Sequence, residues 1–145
     1  YYDKTANGRK IKRWRHPNDN LEPILYKAGW VKHPSTLWLF ESAYNYIWLY
    51  KHMMALNEEY KKRYNHNKDH LTIQKLGAIL KFPPTNALYN RIATEPKPAM
   101  PEHCKVPGDA VASYRKYYIL EKKRFATWKS PAKIPQWYIE GVKHA

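Results

Sequence analysis

The chain has 145 residues, 43% of them hydrophobic and 15% aromatic, so it is long enough for one globular domain and is not disordered. Lys and Arg number 26 against 12 Asp and Glu, and the resulting net charge of +14 favours a polyanionic partner such as nucleic acid. A merely basic surface is the alternative.

No segment approaches the roughly 18 apolar residues of a membrane span, and no signal peptide is visible, so we expect no membrane partner. The single cysteine, Cys104, cannot form an internal disulfide and favours a reducing, cytoplasmic compartment.

Residues 1–30 are predicted to form a basic, irregular arm. Asn7-Gly8 within it is a turn signal that fits the tip of a hairpin. Basic residues surround an interleaved tryptophan, which suits phosphate contact combined with base stacking. The predicted nucleic-acid contacts of this arm are Arg9, Lys10, Lys12, Arg13, Trp14 and Arg15. A flexible, solvated arm is the alternative interpretation. The apolar residues expected to dock this arm on the core are Leu21, Ile24, Leu25 and Tyr26.

The longest run without Gly or internal Pro follows, over residues 33–64. Pro34 suits a first helical turn, and the run is either one helix or two, over 35–42 and about 43–64. An apolar seam at helical spacing comprises Tyr46, Leu49, Met53, Leu56 and Tyr60. Beside it runs a second stripe of Asn45, Trp48, His52, Ala55, Glu59 and Arg63. Because polar groups lie directly beside the apolar seam, we interpret the second stripe as a candidate site wall.

The rest of the chain predicts two more helices separated by a long loop. Asp69 is expected to cap a helix over roughly 70–80, which Pro83-Pro84 ends. Residues 83–108 hold six of the 11 prolines, so we expect an ordered loop without regular helix or sheet. Asp109 is expected to cap the last strong helix, over 109–128.

These patterns predict an all-α fold, a single domain of three to four helices with long proline-rich loops. Residues 1–145 divide into the arm over 1–30, a helical core over 31–138 and a tail over 139–145. The helices near 43–64 and 109–128 are expected to pack together through their aromatic faces, since burying one such side chain contributes roughly 1.5–3 kcal/mol.

Glu121 is the most suggestive carboxylate, because it falls in an aromatic stripe at helical spacing with Tyr114, Tyr118 and Phe125. Desolvation there would raise its pKa unless a cation pairs with it, as in a general acid or base. A structural carboxylate bound to a Tyr hydroxyl or an Arg is the alternative. The other catalytic candidates are His52 and Glu59, and the alternative for the histidine is a core residue satisfied by a neighbour.

Two further clusters carry weaker signals. His66 and His70 have a spacing that can chelate zinc, but the first lies outside the predicted helix. His103 and Cys104 are adjacent, which is a poor geometry for two ligands of one ion, so we predict no metal and no cofactor.

The aromatic pair Trp137-Tyr138, beside Lys129 and Lys133, is a plausible base-stacking platform. The alternative for that pair is a hydrophobic lid that closes the core.

The segment HPSTLW…NYIWLYKHMMALNEEYKKRY, followed by DAVASYRKYYILEKKRFATWKSPAKIPQWY, resembles a group of phage proteins. These are related to the pyrimidine-dimer DNA glycosylases of the T4-type endonuclease V family. The likeness covers roughly residues 25–138. The features that match the family are His33-Pro34, Glu59 with Arg63-Tyr64, and Pro135-Gln136-Trp137-Tyr138.

This resemblance implies a helical domain that binds duplex DNA in the cytoplasm of an infected bacterium, flips a damaged base and cleaves the glycosyl bond and the strand. In the family, the N-terminal α-amino group attacks the sugar C1′ to give an imine, and a Glu on the first helix supports it. Here Tyr1 opens a basic segment without such a helix, so we expect either a missing N-terminal portion or a different activity. The resemblance transfers only Trp137 and Tyr138, as DNA-proximal residues.

Three functions therefore stand as hypotheses. The first is a DNA-binding protein of the DNA-repair glycosylase/AP-lyase type, and the second is a noncatalytic nucleic-acid-binding protein. The third is an enzyme acting on another anionic substrate with Glu121 and His52 in its pocket. No catalytic residue is assigned.

Overall fold

The computed structural model describes residues 1–84 and 90–144 and is mostly helical, as expected. Its helices are α1 (Pro34–Leu39), α2 (Ala43–Tyr64), α3 (Leu71–Leu76), α4 (Ala110–Leu120) and α5 (Gln136–Lys143). Short 3-10 turns lie at Ile79–Lys81 and Glu102–Cys104, and two strands, β1 (Tyr2–Lys4) and β2 (Lys10–Lys12), form an antiparallel hairpin. The fold thus differs from an all-α domain of three to four helices by this hairpin and by one additional helix.

The hairpin lies in the arm that was expected to be irregular. Asp3 pairs with Ile11 at its centre, and the connecting turn contains Gly8 at a φ of +73°. That left-handed conformation is open to glycine at no steric cost, which is why Asn7-Gly8 forms the predicted tip.

The arm is held together by its own contacts. In the described part of the chain, the hydrogen bonds and ion pairs of residues 1–28 all have both partners within that segment. Glu22 turns back to accept a hydrogen bond from the His16 backbone N–H at 2.6 Å. The side chains of Ile24 and Tyr26 remain 41% and 56% exposed. Ile24 and Tyr26 are thus not buried as the expected docking on the core would require, whereas Leu21 and Leu25 are partly buried.

The central region is two helices, and each begins at a side-chain cap. His33 Nδ1 accepts a hydrogen bond from the Ser35 N–H at 3.2 Å, with Pro34 in the first turn of α1. Ser42 Oγ accepts from the Tyr44 N–H at 3.0 Å and begins α2. Asn65, at a φ of +48°, ends α2 in the left-handed conformation.

Asn45 joins this helical corner to the proline-rich loop. Its Nδ2 donates to the Trp38 carbonyl at 2.8 Å and to Thr94 Oγ1 at 2.7 Å, and its Oδ1 accepts from the Thr94 N–H at 3.0 Å. Trp38 Nε1 donates to the Thr94 carbonyl at 2.9 Å. Asn45 is 1% exposed and both of its side-chain polar atoms are bonded within the protein, so this member of the second stripe has a structural role.

The start of α3 differs from the prediction, because His70 caps it and Asp69 does not. His70 Nδ1 accepts from the Thr72 N–H at 3.3 Å. Asp69 is engaged elsewhere: it accepts a hydrogen bond from Asn57 Nδ2 at 2.7 Å and lies 3.4 Å from Lys61 Nζ. The helix ends at Leu76, earlier than expected, and a 3-10 turn follows.

The described part of the proline-rich loop behaves as predicted. Residues 83–84 and 90–108 contain no helix or strand other than the 3-10 turn at Glu102–Cys104. Residues 85–89 of the predicted loop lie outside the described residues.

Asp109 caps α4 as predicted, accepting from the Ala112 N–H at 2.8 Å, but the helix ends at Leu120. It packs against α5 and the Glu102–Cys104 turn, and an open groove separates it from α2. In the described part of the chain, α2 therefore does not pack extensively on this helix, contrary to the expectation.

Helix α5 crosses the expected boundary between core and tail at residue 138. Tyr138 is buried, with its ring centroid 4.8 Å from that of Trp128. A Cβ at Gly141 would lie 2.2 Å from Ile119 Cδ1, so glycine allows α5 to approach α4 closely. This packing stabilises a helix that the proline-rich sequence around it did not predict.

The hydrophobic core is small for the mass of the chain. Its buried apolar members are Trp38, Leu76, Cys104, Ala110 and Tyr138. The accessible surface is 11586 Å², about 1.5 times the value that the scaling for folded monomers gives for 17.4 kDa. Much apolar and aromatic surface is thus left to face solvent or a partner. Within the described ranges, no helix is both long and apolar enough to cross a bilayer.

We predict that Asn45→Ala lowers the free energy of unfolding by about 2–4 kcal/mol, because it orphans buried partners on Trp38 and Thr94. Urea unfolding measures this loss. Asn67→Ala, at an exposed position between α2 and α3, is the matched control and is expected to change stability by less than about 0.5 kcal/mol. Equal losses in the two variants would contradict the role of Asn45.

Glu41 gives the same corner a pH dependence. Its ion pair with Lys97, followed by a 2.8 Å hydrogen bond from Thr94 Oγ1, holds its pKa below the ordinary 4.5. A depressed pKa means that the stabilisation is complete above pH 4.5 and is lost as the pH falls through the lowered value. We therefore expect the stability difference between the native protein and Glu41→Gln, measured by urea unfolding, to shrink on acidification. A difference that stays constant below pH 4.5 would contradict this assignment.

Candidate nucleic-acid interface

An open groove of about 350 Å³ lies between α2 on one side and α4 and α5 on the other. We call it the aromatic groove, and its lining residues are Trp48, Pro96, Ala110, Val111, Tyr114, Arg115, Tyr118 and Trp137. Trp48, Tyr118 and Tyr114 are 52%, 43% and 37% exposed, so their rings are accessible. The groove therefore offers several aromatic surfaces to a flat ligand.

Helical spacing explains how these aromatic side chains come together. Tyr114 and Tyr118 are four residues apart and share one face of α4. Trp137 belongs to the first turn of α5. The Arg115 guanidinium lies 5.5 Å from the centroid of the Trp137 ring, a cation–π arrangement that places a positive charge in the groove.

A second open groove, of about 360 Å³, adjoins the first and shares Trp48 and Pro96 with it. Tyr44 and Lys51 lie along it, so it too combines an aromatic ring with a cation. Glu95 also lines this groove, but its Oε1 accepts a hydrogen bond from the Ala110 N–H at the start of α4. Trp48 thus stands between two clefts of similar chemistry.

Trp48 is held on two sides. The Trp38 ring meets it edge-on with centroids 5.8 Å apart, and the His52 ring stacks on it at 5.1 Å with an interplanar angle of 13°. His52 is itself exposed and does not line the aromatic groove. The plainer interpretation of His52, a histidine satisfied by a neighbour, is the one that this stacking supports, although the neighbours form no closed core.

The two carboxylates singled out from the sequence lie outside the groove. Glu59 Oε1 accepts from Arg63 Nε at 2.8 Å in an exposed i, i+4 ion pair. Glu121 ends α4, its side chain is 43% exposed, and its Oε1 lies 2.7 Å from His103 Nε2. The burial among aromatic rings that was expected for Glu121 is absent. Glu121 and His52 therefore do not form the common pocket of the third hypothesis at this groove.

The structure separates the members of the predicted stacking pair. Trp137 is half-buried and lines the aromatic groove. Tyr138 is 7% exposed and packs on Trp128, so it has no free face for a base. The lid interpretation describes Tyr138, and the platform interpretation remains open for Trp137. Lys129 and Lys133 are both exposed.

In the arm, several predicted contact residues are paired with aromatic rings. Lys10 lies 4.5 Å from the Tyr2 ring, Lys12 lies 5.6 Å from Trp14, and Arg15 lies 5.2 Å from Tyr1. Arg9 is exposed, whereas Arg13 is partly buried and its Nε has no hydrogen-bond partner among residues 1–84 and 90–144. Trp14 is 44% exposed. These cations and rings form a surface of their own, on the arm.

Sequence reasoning placed Trp48 only as one member of a stripe and used Tyr114 and Tyr118 only as surroundings of Glu121. It did not single out Arg115 or Pro96. The available signal was the pair of aromatic helix faces on α2 and α4, but spacing alone does not show whether two such faces touch or stand apart.

Comparisons of this chain with protein-family models, with curated proteins and with solved structures find no significant match. The resemblance to the pyrimidine-dimer DNA glycosylases thus stays a prediction from sequence motifs.

Proposed function

We propose that this protein binds DNA through the aromatic groove and its basic surroundings, as a protein of the DNA-repair glycosylase/AP-lyase type. The observation that carries the proposal is the meeting of accessible aromatic rings with Arg115 and Lys51 in open clefts on both sides of Trp48. The chain's net charge of +14 supplies the attraction to phosphate.

The chemistry of the groove fits an unstacked base. Stacking of a base on an aromatic side chain contributes about 1–3 kcal/mol and accepts every base, since each has a π face. Trp48, Tyr114, Tyr118 and Trp137 provide such faces within one cleft. Enzymes that act on a base in a duplex extrude it into a pocket, and the cost of unstacking is offset by contacts of this kind.

The basic residues outside the groove suit the backbone of the same ligand. Lys129 and Lys133 are exposed near the start of α5, and the arm presents Arg9, Lys10 and Arg15 to solvent. Each phosphate neutralised by such a cation releases counterions, so the binding constant depends on salt. The large accessible surface leaves room for an extended polyanion.

A noncatalytic DNA-binding protein is the second candidate, and one observation favours it. Of the candidate catalytic residues, Glu59 is paired with Arg63, Glu121 with His103, and His52 is stacked on Trp48. None of the three lines the aromatic groove. Binding therefore has structural support in the groove, whereas the reaction depends on the family resemblance.

We expect duplex DNA containing an abasic or mismatched position to bind with a log–log salt slope of about −0.9 per neutralised phosphate. Trp48→Ala should weaken binding about 5- to 150-fold, because the loss of one stacked base costs about 1–3 kcal/mol, and should leave the slope unchanged. Fluorescence anisotropy across a salt series measures both quantities.

Trp30→Ala is the matched control, since Trp30 is 84% exposed and lies outside both grooves. We expect it to bind like the native protein. Absence of binding at low salt would reject DNA as the partner, and equal losses in the two variants would reject the groove as the binding site.

Borohydride trapping separates the catalytic form of the proposal from the noncatalytic form. A glycosylase/AP lyase that uses an amine forms an imine with the sugar C1′, and reduction should leave a covalent protein–DNA adduct on damaged or abasic duplex. The product of the complete gene is used, with denaturing electrophoresis as the readout. Tight binding without any adduct would reject the imine-forming glycosylase/AP-lyase reaction.

A further inference from the structure

Away from the groove, three side chains with metal-binding atoms meet where the Glu102–Cys104 turn packs against the end of α4. They are His103, Cys104 and Glu121, and each offers one ligand atom within 4.8 Å of those of the other two. We propose that this trio, which we call the HCE cluster, binds one zinc-type divalent ion. Water completes the fourth position, as in zinc sites with three protein ligands.

The positions of the ligand atoms suit a tetrahedral ion after small side-chain movements. Zinc lies about 2.3 Å from sulfur and about 2.0–2.2 Å from nitrogen or oxygen, so its ligand atoms stand roughly 3–4 Å apart. His103 Nε2 and Glu121 Oε1, now 2.7 Å apart, must separate slightly to admit the ion. Their side chains are 57% and 43% exposed, so rotation meets little obstruction.

Cys104 supplies a fixed ligand from the interior. It is fully buried, and its backbone N–H donates to the Pro101 carbonyl at 3.0 Å, within the same turn. His103 and Glu121 approach from the solvent side. The ion would lie at the boundary between core and solvent, with one rigid thiolate behind it and two adjustable ligands in front.

Adjacency of His103 and Cys104 in sequence argued against a site, because two neighbouring residues alone make a poor ligand pair. The tertiary structure changes that argument by bringing Glu121 from the end of α4 to the same point. The third ligand comes from 17 positions after Cys104 in the chain, so metal binding would tie the proline-rich loop to α4.

The charges of the cluster also suit a divalent ion. A thiolate and a carboxylate together neutralise an M²⁺ ion, and the thiol proton passes to solvent on binding. The lysines that directly follow two of the ligands in the chain have partners of their own: Lys105 Nζ lies 2.6 Å from Glu102 Oε2, and Lys122 Nζ lies 5.1 Å from the Tyr117 ring. The mixed sulfur, nitrogen and oxygen set favours zinc or cobalt over magnesium or calcium, which prefer oxygen alone.

Cobalt(II) titration of the complete, chelator-treated chain tests the proposal. We expect one equivalent of Co²⁺ to give a thiolate-to-cobalt charge-transfer band together with the visible absorption of a four-coordinate ion, and Zn²⁺ to displace it. Cys104→Ser should abolish the charge-transfer band. His103→Gln and Glu121→Gln, at exposed positions, should each weaken cobalt affinity by more than about 100-fold, beyond the 10–100-fold typical of losing a group that only orients a ligand.

Glu102→Gln is the matched control, because Glu102 belongs to the same turn and is paired with Lys105 outside the cluster. Its cobalt affinity should equal that of the native chain. Absence of a charge-transfer band in the native chain would overturn the proposal. An undiminished affinity in both His103→Gln and Glu121→Gln would also overturn it, as would a loss in Glu102→Gln equal to that in Glu121→Gln. All of these outcomes are independent of DNA binding.

Discussion

The buried amide of Asn45 fixes the geometry on which the aromatic groove depends. It uses both of its polar atoms, bonding the Trp38 carbonyl and two groups of Thr94, and so joins the α1–α2 corner to the loop. A buried amide tolerates no partner that is missing or displaced, because each unpaired group costs about 1–3 kcal/mol. The loop is therefore held in one register, and Pro96, two residues after Thr94, is brought beside Trp48.

A polar anchor of this kind compensates for a small hydrophobic core. Few apolar side chains are fully buried, and many aromatic ones remain exposed, including Trp48 on α2 and Tyr118 on α4. In a protein without a partner, two such faces would gain free energy by packing together. Here the loop, anchored at Thr94, brings Pro96 to the cleft between them. The groove stays open and its rings stay accessible, which is the property that both forms of the proposed DNA binding require.

Local signals predicted much of the secondary structure. Pro34 and Asp109 each act within a few residues, so the starts of α1 and α4 could be located from sequence, and Asn7-Gly8 located the hairpin tip. The sequence left open whether residues 35–64 form one helix or two, and the structure shows two, with Ser42 capping the second. The failures have longer-range causes. Asp69 did not cap α3 because Asn57, more than ten residues away, binds its carboxylate. Helix α5 was missed because its stability depends on packing against α4.

The sequence by itself determined the basic charge, the mostly helical class, the starts of α1 and α4, and the supply of aromatic and metal-binding side chains, since composition and caps are properties of neighbouring residues. Only the tertiary structure decided which of these side chains meet. Tyr138 is buried whereas the adjacent Trp137 lines the groove. Glu121, which was expected among aromatic rings, lies beside His103 instead. Burial and contact depend on residues distant in the chain, and periodicity carries no information about their positions.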